Sequence, residues 1–412
     1  MTIIDSPTTD RRADLRQRFA DMRRTTTSLA APLSLEDQVV QSMPDASPTK
    51  WHLGHTTWFF ETFVLDEAPF DDQFSYLFNS YYETVGRRQP RAERGLLTRP
   101  PHQRVVDYRN HVDEAMDRLF DADPTAEQLD LIELGIHHEQ QHQELILMDA
   151  LHLLSCHPFA PAYTDAPVVA SPAHPGGWLH HDGGLVDVGH TGDDFSFDNE
   201  TPRHRTWLEP FRIAAKPVTC GEFREFIADG GYDQATLWLS DGWGWRNRTG
   251  RTSPDYWDLD RGTRLDLHGE HPIDDEQPLS HITYYEADAF ARWAGLRLPR
   301  EAEWEAVFGN DDPTDGQFRS GDAFHAVGPE AGRTGAVGTL WEWTQSAYDS
   351  YPGFRTVDGA VGEYNGKFMA NQFVLRGGSY MTPTGHFRTT YRNFFHPHTS
   401  WHASGVRLAR DA

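Results

Sequence analysis

The chain has almost no cysteine: Cys156 and Cys220 are the only two in 412 residues. Two thiols cannot build a disulfide framework or a thiolate metal site, so any metal must be held by histidine and carboxylates, and the scarcity fits a reducing compartment. Long apolar runs are missing as well, which removes the expectation of a transmembrane helix and of membrane partners. The start, Met1-Thr2-Ile3-Ile4-Asp5-Ser6, lacks the basic-then-apolar layout of a signal peptide. A cytoplasmic location is expected. Basic residues are few against acidic ones, 37 to 62, and the formal net charge is −25. That field repels phosphate backbones, so nucleic acid is not an expected partner.

What is present is length enough for two domains, with 38% hydrophobic and 24% charged residues. Two textures follow one another. Residues 1–160 read as helical, with candidates over Asp10–Thr25, Ser34–Ser42, Thr49–Asp66, Pro100–Phe120 and Thr125–Leu154. Asp123-Pro124-Thr125-Ala126-Glu127-Gln128 supplies the N-terminal signature of the last. Four main helices predict a four-helix bundle, a standard place to build metal sites. Residues 161–183, Pro-rich and aperiodic, read as a linker. Residues 184–412 are rich in Gly, Trp and turn residues. Short strands are predicted near Gly184–Gly189 and Val374–Arg376, and short helices over Cys220–Ile227, Tyr284–Ala294 and Arg300–Val307. The fold class expected is α+β.

The densest chemical signal is Gly135-Ile136-His137-His138-Glu139-Gln140-Gln141-His142 within the last helical segment. His138 and His142 are four residues apart, so they project from one helix face and can share a metal ion. His137 lies off that face. A third ligand is offered by Trp51-His52-Leu53-Gly54-His55, where His52 and His55 compete. Three histidines leave coordination positions open, which points to catalysis rather than a structural staple; the same ligands accept zinc or Fe(II). A second signal is the run Arg87, Arg88, Arg91 and Arg94, unusual in so acidic a chain. Guanidinium forks bind carboxylates bidentately, and Arg88 and Arg91 are the chosen candidates for a substrate carboxylate.

Trp51–Trp58 together with His138–His142 resembles the DinB-like helical domain of the ergothioneine-biosynthesis sulfoxide synthases. The second half resembles their formylglycine-generating-enzyme-like domain, a variant of the C-type lectin fold. The pieces are Asp198-Asn199-Glu200-Thr201-Pro202-Arg203-His204, Lys216-Pro217-Val218-Thr219, Tyr284-Tyr285-Glu286-Ala287, Arg297-Leu298-Pro299-Arg300-Glu301-Ala302-Glu303-Trp304-Glu305, Leu340-Trp341-Glu342-Trp343-Thr344, Leu375-Arg376-Gly377-Gly378-Ser379 and Tyr391-Arg392-Asn393-Phe394-Phe395. They span nearly the whole chain in the family's order.

The resemblance implies a mononuclear non-haem Fe(II) enzyme. It would use O₂ to join the sulfur of cysteine, or of γ-glutamylcysteine, to the imidazole of hercynine, giving a sulfoxide at a site between the two domains. It favours His55 over His52 as the third ligand beside His138 and His142. It implies that Gln141 contacts the substrate imidazole, and that Tyr82 donates a proton or electron while Tyr81 hydrogen-bonds. Asn393, Phe394 and Phe395 match the segment that closes over hercynine, where aromatic faces suit a quaternary ammonium. The cysteine pair of the formylglycine-generating enzymes is missing here. Tyr380 follows Arg376–Ser379 where many relatives carry Cys, and His402-Ala403-Ser404-Gly405 replaces another family segment. These departures leave as an alternative a selenoneine synthase joining a selenosugar to hercynine; a non-catalytic metal-stabilised ligand-binding module is a further alternative.

Overall fold

A computed structural model describes residues 7–319, 323–356 and 360–412. The chain divides into two compact units, the first ending at Pro158 and the second beginning at Phe159.

The first unit holds α1 (Pro7–Ala30), α2 (Thr49–Phe63), the short α3 (Phe74–Phe78), α4 (His102–Asp121) and α5 (Ala126–Ser155). The four long helices pack as α1 on α5, α2 on α4 and α2 on α5. The N-terminus of α5 is the expected capping box: the Thr125 hydroxyl accepts from the Gln128 N–H and the Gln128 side chain accepts from the Thr125 N–H. The helix expected over Ser34–Ser42 is corrected to a single 3-10 turn, Asp37–Val39. There Ser34 and Asp37 satisfy each other's backbone N–H, and Gln38 spans back to the Ala30 and Leu33 carbonyls, so side chains replace the helical ladder.

The α1–α5 interface buries charge. Glu139 of α5 bonds Arg23 of α1 at 2.8 Å and Arg109 of α4 at 3.0 Å, and both guanidinium groups reach Thr57 of α2. The two guanidinium groups override burial and pull the Glu139 carboxyl down to about 2. One carboxylate thus ties four helices together behind His138.

The second unit runs β1 (Trp178–His181), β2 (Gly184–Val188), β3 (His204–Leu208), β4 (Phe211–Ala214), α6 (Cys220–Ala228), α7 (Ser240–Thr249), β5 (Trp257–Asp258), β6 (Thr263–Asp266), β7 (Gly269–Pro272), α8 (Tyr284–Trp293), α9 (Glu301–Phe308), β8 (Trp341–Ala347), β9 (Phe373–Arg376), β10 (Asn393–Phe395), β11 (Ser404–Gly405) and β12 (Ala409–Asp411). Its sheets are small, in the orders β10-β9-β8-β11, β1-β4-β12, β5-β6-β7 and β2-β3. β1 lies within the stretch read as linker, and it pairs antiparallel with β4 from Trp178 opposite Ala214. The residues before it are pinned too, by Tyr163 and Thr164 N–H on the Leu267 carbonyl. α7 was hidden in the sequence by Gly242 and Gly244, which weaken any helical signal.

Buried ion pairs replace extended sheet as the organising force here. Arg407 grips Glu342 at 2.7 Å, Arg392 grips Glu301 at 2.9 Å, and Arg376 pairs with Glu305. Trp304 donates its indole N–H to Glu342 and Trp343 to the Ile282 carbonyl. Fully buried Trp needs such a partner for its one polar atom.

Candidate metal centre

The centre is built from α2 and α5, and glycine lets the two helices approach. A Cβ on Gly135 of α5 would lie 2.5 Å from the Phe60 ring of α2, and Gly54 of α2 likewise admits α3, since a Cβ there would lie 2.3 Å from Phe78. Across the α2–α5 contact His55, His138 and His142 converge, each offering a ring nitrogen within 4.8 Å of the others. All three are buried. Ring centroids are 4.7 Å apart for His55 and His142, 4.7 Å for His138 and His142, and 5.0 Å for His55 and His138.

The donor set suits a divalent metal. Burial comes first in pushing every one of these imidazoles down, well below the ordinary range for His55 and His142 and to about 3 for His138. They are therefore neutral at physiological pH, as ligands must be. His55 donates its Nδ1–H to the Phe78 carbonyl at 2.6 Å, which leaves Nε2 bare, buried and without a hydrogen-bond partner. Such an orphaned acceptor is costly unless a cation completes it.

His52 does not join the three. Its Nδ1 lies 2.8 Å from His142 Nδ1 and its Nε2 lies 3.0 Å from Asp149 Oδ2. Of the two candidates on α2, His55 is thus the one that lies with His138 and His142, one turn along from His52. His137 faces away, with Nε2 3.3 Å from Arg18. Aromatic rings wall the centre: Trp51 stacks on His55 at 4.6 Å, Trp58 lies beyond it at 5.8 Å, and Phe59 packs on His138 at 4.7 Å.

The other sequence candidates fall at several depths. Tyr82 is fully buried, and Asn79 holds its backbone. Its ring contacts Trp58 at 5.7 Å, one ring away from His55, and stacks with half-buried Tyr81 at 4.7 Å. Gln141 is half-buried on α5. Arg88 pairs with Glu83 at 2.8 Å, and exposed Arg91 donates to the Asp45 carbonyl.

The arginine that sequence reasoning passed over is Arg94. It is buried, lies 3.4 Å over the Trp51 ring, and bonds Ser47 at 2.9 Å and Ser80 at 3.1 Å. Its Nε has no hydrogen-bond partner. Burial, reinforced by Arg91 and Arg88, holds its pKa well below the guanidinium range. The signal that could have found it is spacing: Arg91 and Arg94 are three residues apart in a helical turn, so one can turn inward while the other faces solvent.

In the second unit, Asn393 pairs with Leu375 across β10 and β9. Phe394 stacks on Tyr348 at 4.0 Å, and Phe395 packs on His402 at 4.0 Å. Tyr380 and His402 are fully buried, and Tyr380 lies 3.2 Å from His281 Nε2. Both positions of departure from the family pattern are therefore core. Cys220 is buried and its thiol is pushed up to about 11 by burial, which makes it a poor nucleophile; Cys156 is exposed. Among the described residues no helix is long and apolar enough to cross a membrane.

Comparison with known proteins now decides the family. Residues 174–331 and 329–412 match the sulfatase-modifying factor enzyme 1-like domain. A hercynine oxygenase of Mycolicibacterium thermoresistibile is 32% identical over 97% of this chain and 95% of its own length. The chain belongs to the hercynine oxygenase family. A second hercynine oxygenase, from Mycobacterium tuberculosis, is 35% identical over 67% of this chain and 70% of its own. The formylglycine-generating enzyme of Streptomyces coelicolor is 27% identical over 60% of this chain, and 96% of its length is covered. The family is thus an ergothioneine sulfoxide synthase type with a formylglycine-generating-enzyme-like domain.

Proposed function

We propose that this protein is an Fe(II)-dependent, O₂-consuming sulfoxide synthase. It joins the sulfur of cysteine or γ-glutamylcysteine to the imidazole carbon of hercynine. The observation that carries this reading is the convergence of His55, His138 and His142 in a chain related to a hercynine oxygenase over 97% of its length. The net reaction consumes a thiol, an imidazole C–H and O₂, and yields the sulfoxide and water.

Iron held by the three imidazoles would supply thiolate binding and O₂ activation. The protein's own groups do the rest. The aromatic wall of Trp51, Trp58 and Phe59 keeps the centre dry, which strengthens each polar contact inside it. Gln141 holds the substrate imidazole, its amide able both to donate and to accept. The arginine cluster takes the donor's α-carboxylate. Arg94 is its buried member, and a carboxylate there would neutralise a guanidinium that its serine partners leave charged. Arg88 and Arg91 serve the rim. Tyr82 would supply a phenolic proton, with Tyr81 stacked on it to set its orientation. Asn393, Phe394 and Phe395 contact the trimethylammonium end of hercynine.

The test is anaerobic reconstitution with Fe(II), then air and hercynine with cysteine, γ-glutamylcysteine or a selenosugar in parallel, with products read by mass spectrometry. A hercynyl sulfoxide from either thiol is the expected result and names the donor. Product from the selenosugar alone, or no product from any donor, would sink the proposal.

A further inference from the structure

We propose that Asp149, His52 and His142 form one hydrogen-bonded relay that commits His142 to bind metal through Nε2, with His52 as its positioning residue. The inference rests on the reading of His55, His138 and His142 as a metal centre and adds a task for a fourth histidine.

The argument is proton bookkeeping. His52 Nδ1 and His142 Nδ1 are 2.8 Å apart, so one hydrogen lies between them. At the other end of the His52 ring, Nε2 is 3.0 Å from Asp149 Oδ2, and that same oxygen accepts the Ser47 N–H at 2.8 Å. A carboxylate can only accept. With both rings neutral, one arrangement pairs every hydrogen with an acceptor. His52 carries its proton on Nε2 and gives it to Asp149. His142 carries its proton on Nδ1 and gives it to the bare Nδ1 of His52. Nε2 of His142 is then left with its lone pair. The reverse placement would set a bare His52 Nε2 against a carboxylate oxygen, two acceptors face to face in a buried site.

The three ligands are consequently unequal. His55 is oriented by a neutral carbonyl, that of Phe78. His142 is oriented, through one imidazole, by a carboxylate. Carboxylate partners raise the basicity of a ligating imidazole and fix its ring. His142 is therefore a stronger donor than His55, and its ring cannot rotate without breaking a bond on the far side. His52 and Asp149 sit on α2 and α5. The relay therefore also clamps the two helices that carry the ligands.

The first measurement is on the metal-free full-length chain with ¹⁵N-labelled histidine, using long-range ¹H–¹⁵N correlation to read each ring's protonated nitrogen. The expected result is a proton on Nδ1 of His142 and on Nε2 of His52. A proton on Nε2 of metal-free His142 would overturn the proposal, whatever the enzyme's substrates prove to be. The second measurement is Co(II) affinity by chelator competition. His52→Leu is expected to weaken it about ten- to a hundredfold. His52→Gln, whose amide can accept from His142 and donate to Asp149, is expected to recover most of the loss. Should His52→Leu not fold, Asp149→Asn keeps the shape and removes the charge, and a smaller loss is expected. Unchanged affinity in a folded His52→Leu or Asp149→Asn protein would also overturn it. Failure of the reaction assay alone would strike the proposed function and leave the tautomer result standing.

Discussion

Two residues beside the centre separate packing from chemistry. Tyr82 is fully buried against Trp58 and Phe63, so its ring is held by packing and its hydroxyl is the only part a Phe would lack. Tyr82→Phe is expected to fold normally and to shift products from sulfoxide toward sulfinic acid of the thiol. Mass spectrometry reads the ratio, and an unchanged ratio removes Tyr82 from the mechanism. Arg94 presents the opposite case, a buried charge whose hydrogen-bond partners are hydroxyls. Arg94→Met removes that charge and retains volume, so stability is expected to hold or rise. The KM for the thiol donor is expected to rise about tenfold or more, the worth of a charge-assisted bond. Arg88→Ala and Arg91→Ala should act less strongly, because Arg88 is already paired with Glu83 and Arg91 is exposed. Equal donor KM in Arg94→Met and the unsubstituted enzyme would take the carboxylate away from Arg94.

Among the elements, α2 and α5 carry the centre, and Gly135 sets their approach. A side chain there meets Phe60 at 2.5 Å and Phe59 at 3.1 Å, both on α2. Gly135→Val is expected to cost about 1–3 kcal/mol through overpacking. It should also weaken metal binding, since moving α5 from α2 separates His138 and His142 from His55. Denaturant unfolding and Co(II) titration check the two effects, and undiminished affinity would mean that the helices slide without opening the site. The helices themselves were legible in the sequence, because apolar residues at helical spacing and the Thr125–Gln128 box are local signals. The short strands were mostly not. β11 and β12 are two and three residues long and exist only through partners distant in sequence, β8 and β4.

For the whole molecule, buried neutral histidine makes stability depend on pH in both units. His138 is pushed down to about 3, His281 to about 4 and His402 to about 3, each chiefly by burial. Below pH 6.5 the unfolded chain binds protons that the folded chain refuses, so stability falls as pH falls, through the window from 6.5 toward 3–4. Each such histidine contributes roughly 1.4 kcal/mol per pH unit in that window. The metal-free protein is expected to show a lower unfolding midpoint at pH 5 than at pH 7. Above pH 7 these groups add no further change. A midpoint that is level or higher at pH 5 would mean that these rings are charged in the folded state.

The family motifs of the second half turn out to be one another's partners. Glu305 of the Arg297–Glu305 motif pairs with Arg376 of Leu375–Ser379. Glu301 of the first motif pairs with Arg392 of Tyr391–Phe395, and Glu342 takes the Trp304 indole and Arg407. By itself the sequence determined the helical segments and one pair of candidate metal ligands. His138 and His142 lie one turn apart on one helix, and that spacing is a local fact. Only the tertiary structure decided which histidine of α2 lies beside them. His52 and His55 are equally good histidines three residues apart, and the packing of α2 on α5 aims one at the shared point and the other at Asp149. It likewise buried Arg94 and left Arg91 exposed, because burial is a property of what surrounds a side chain and not of the side chain itself.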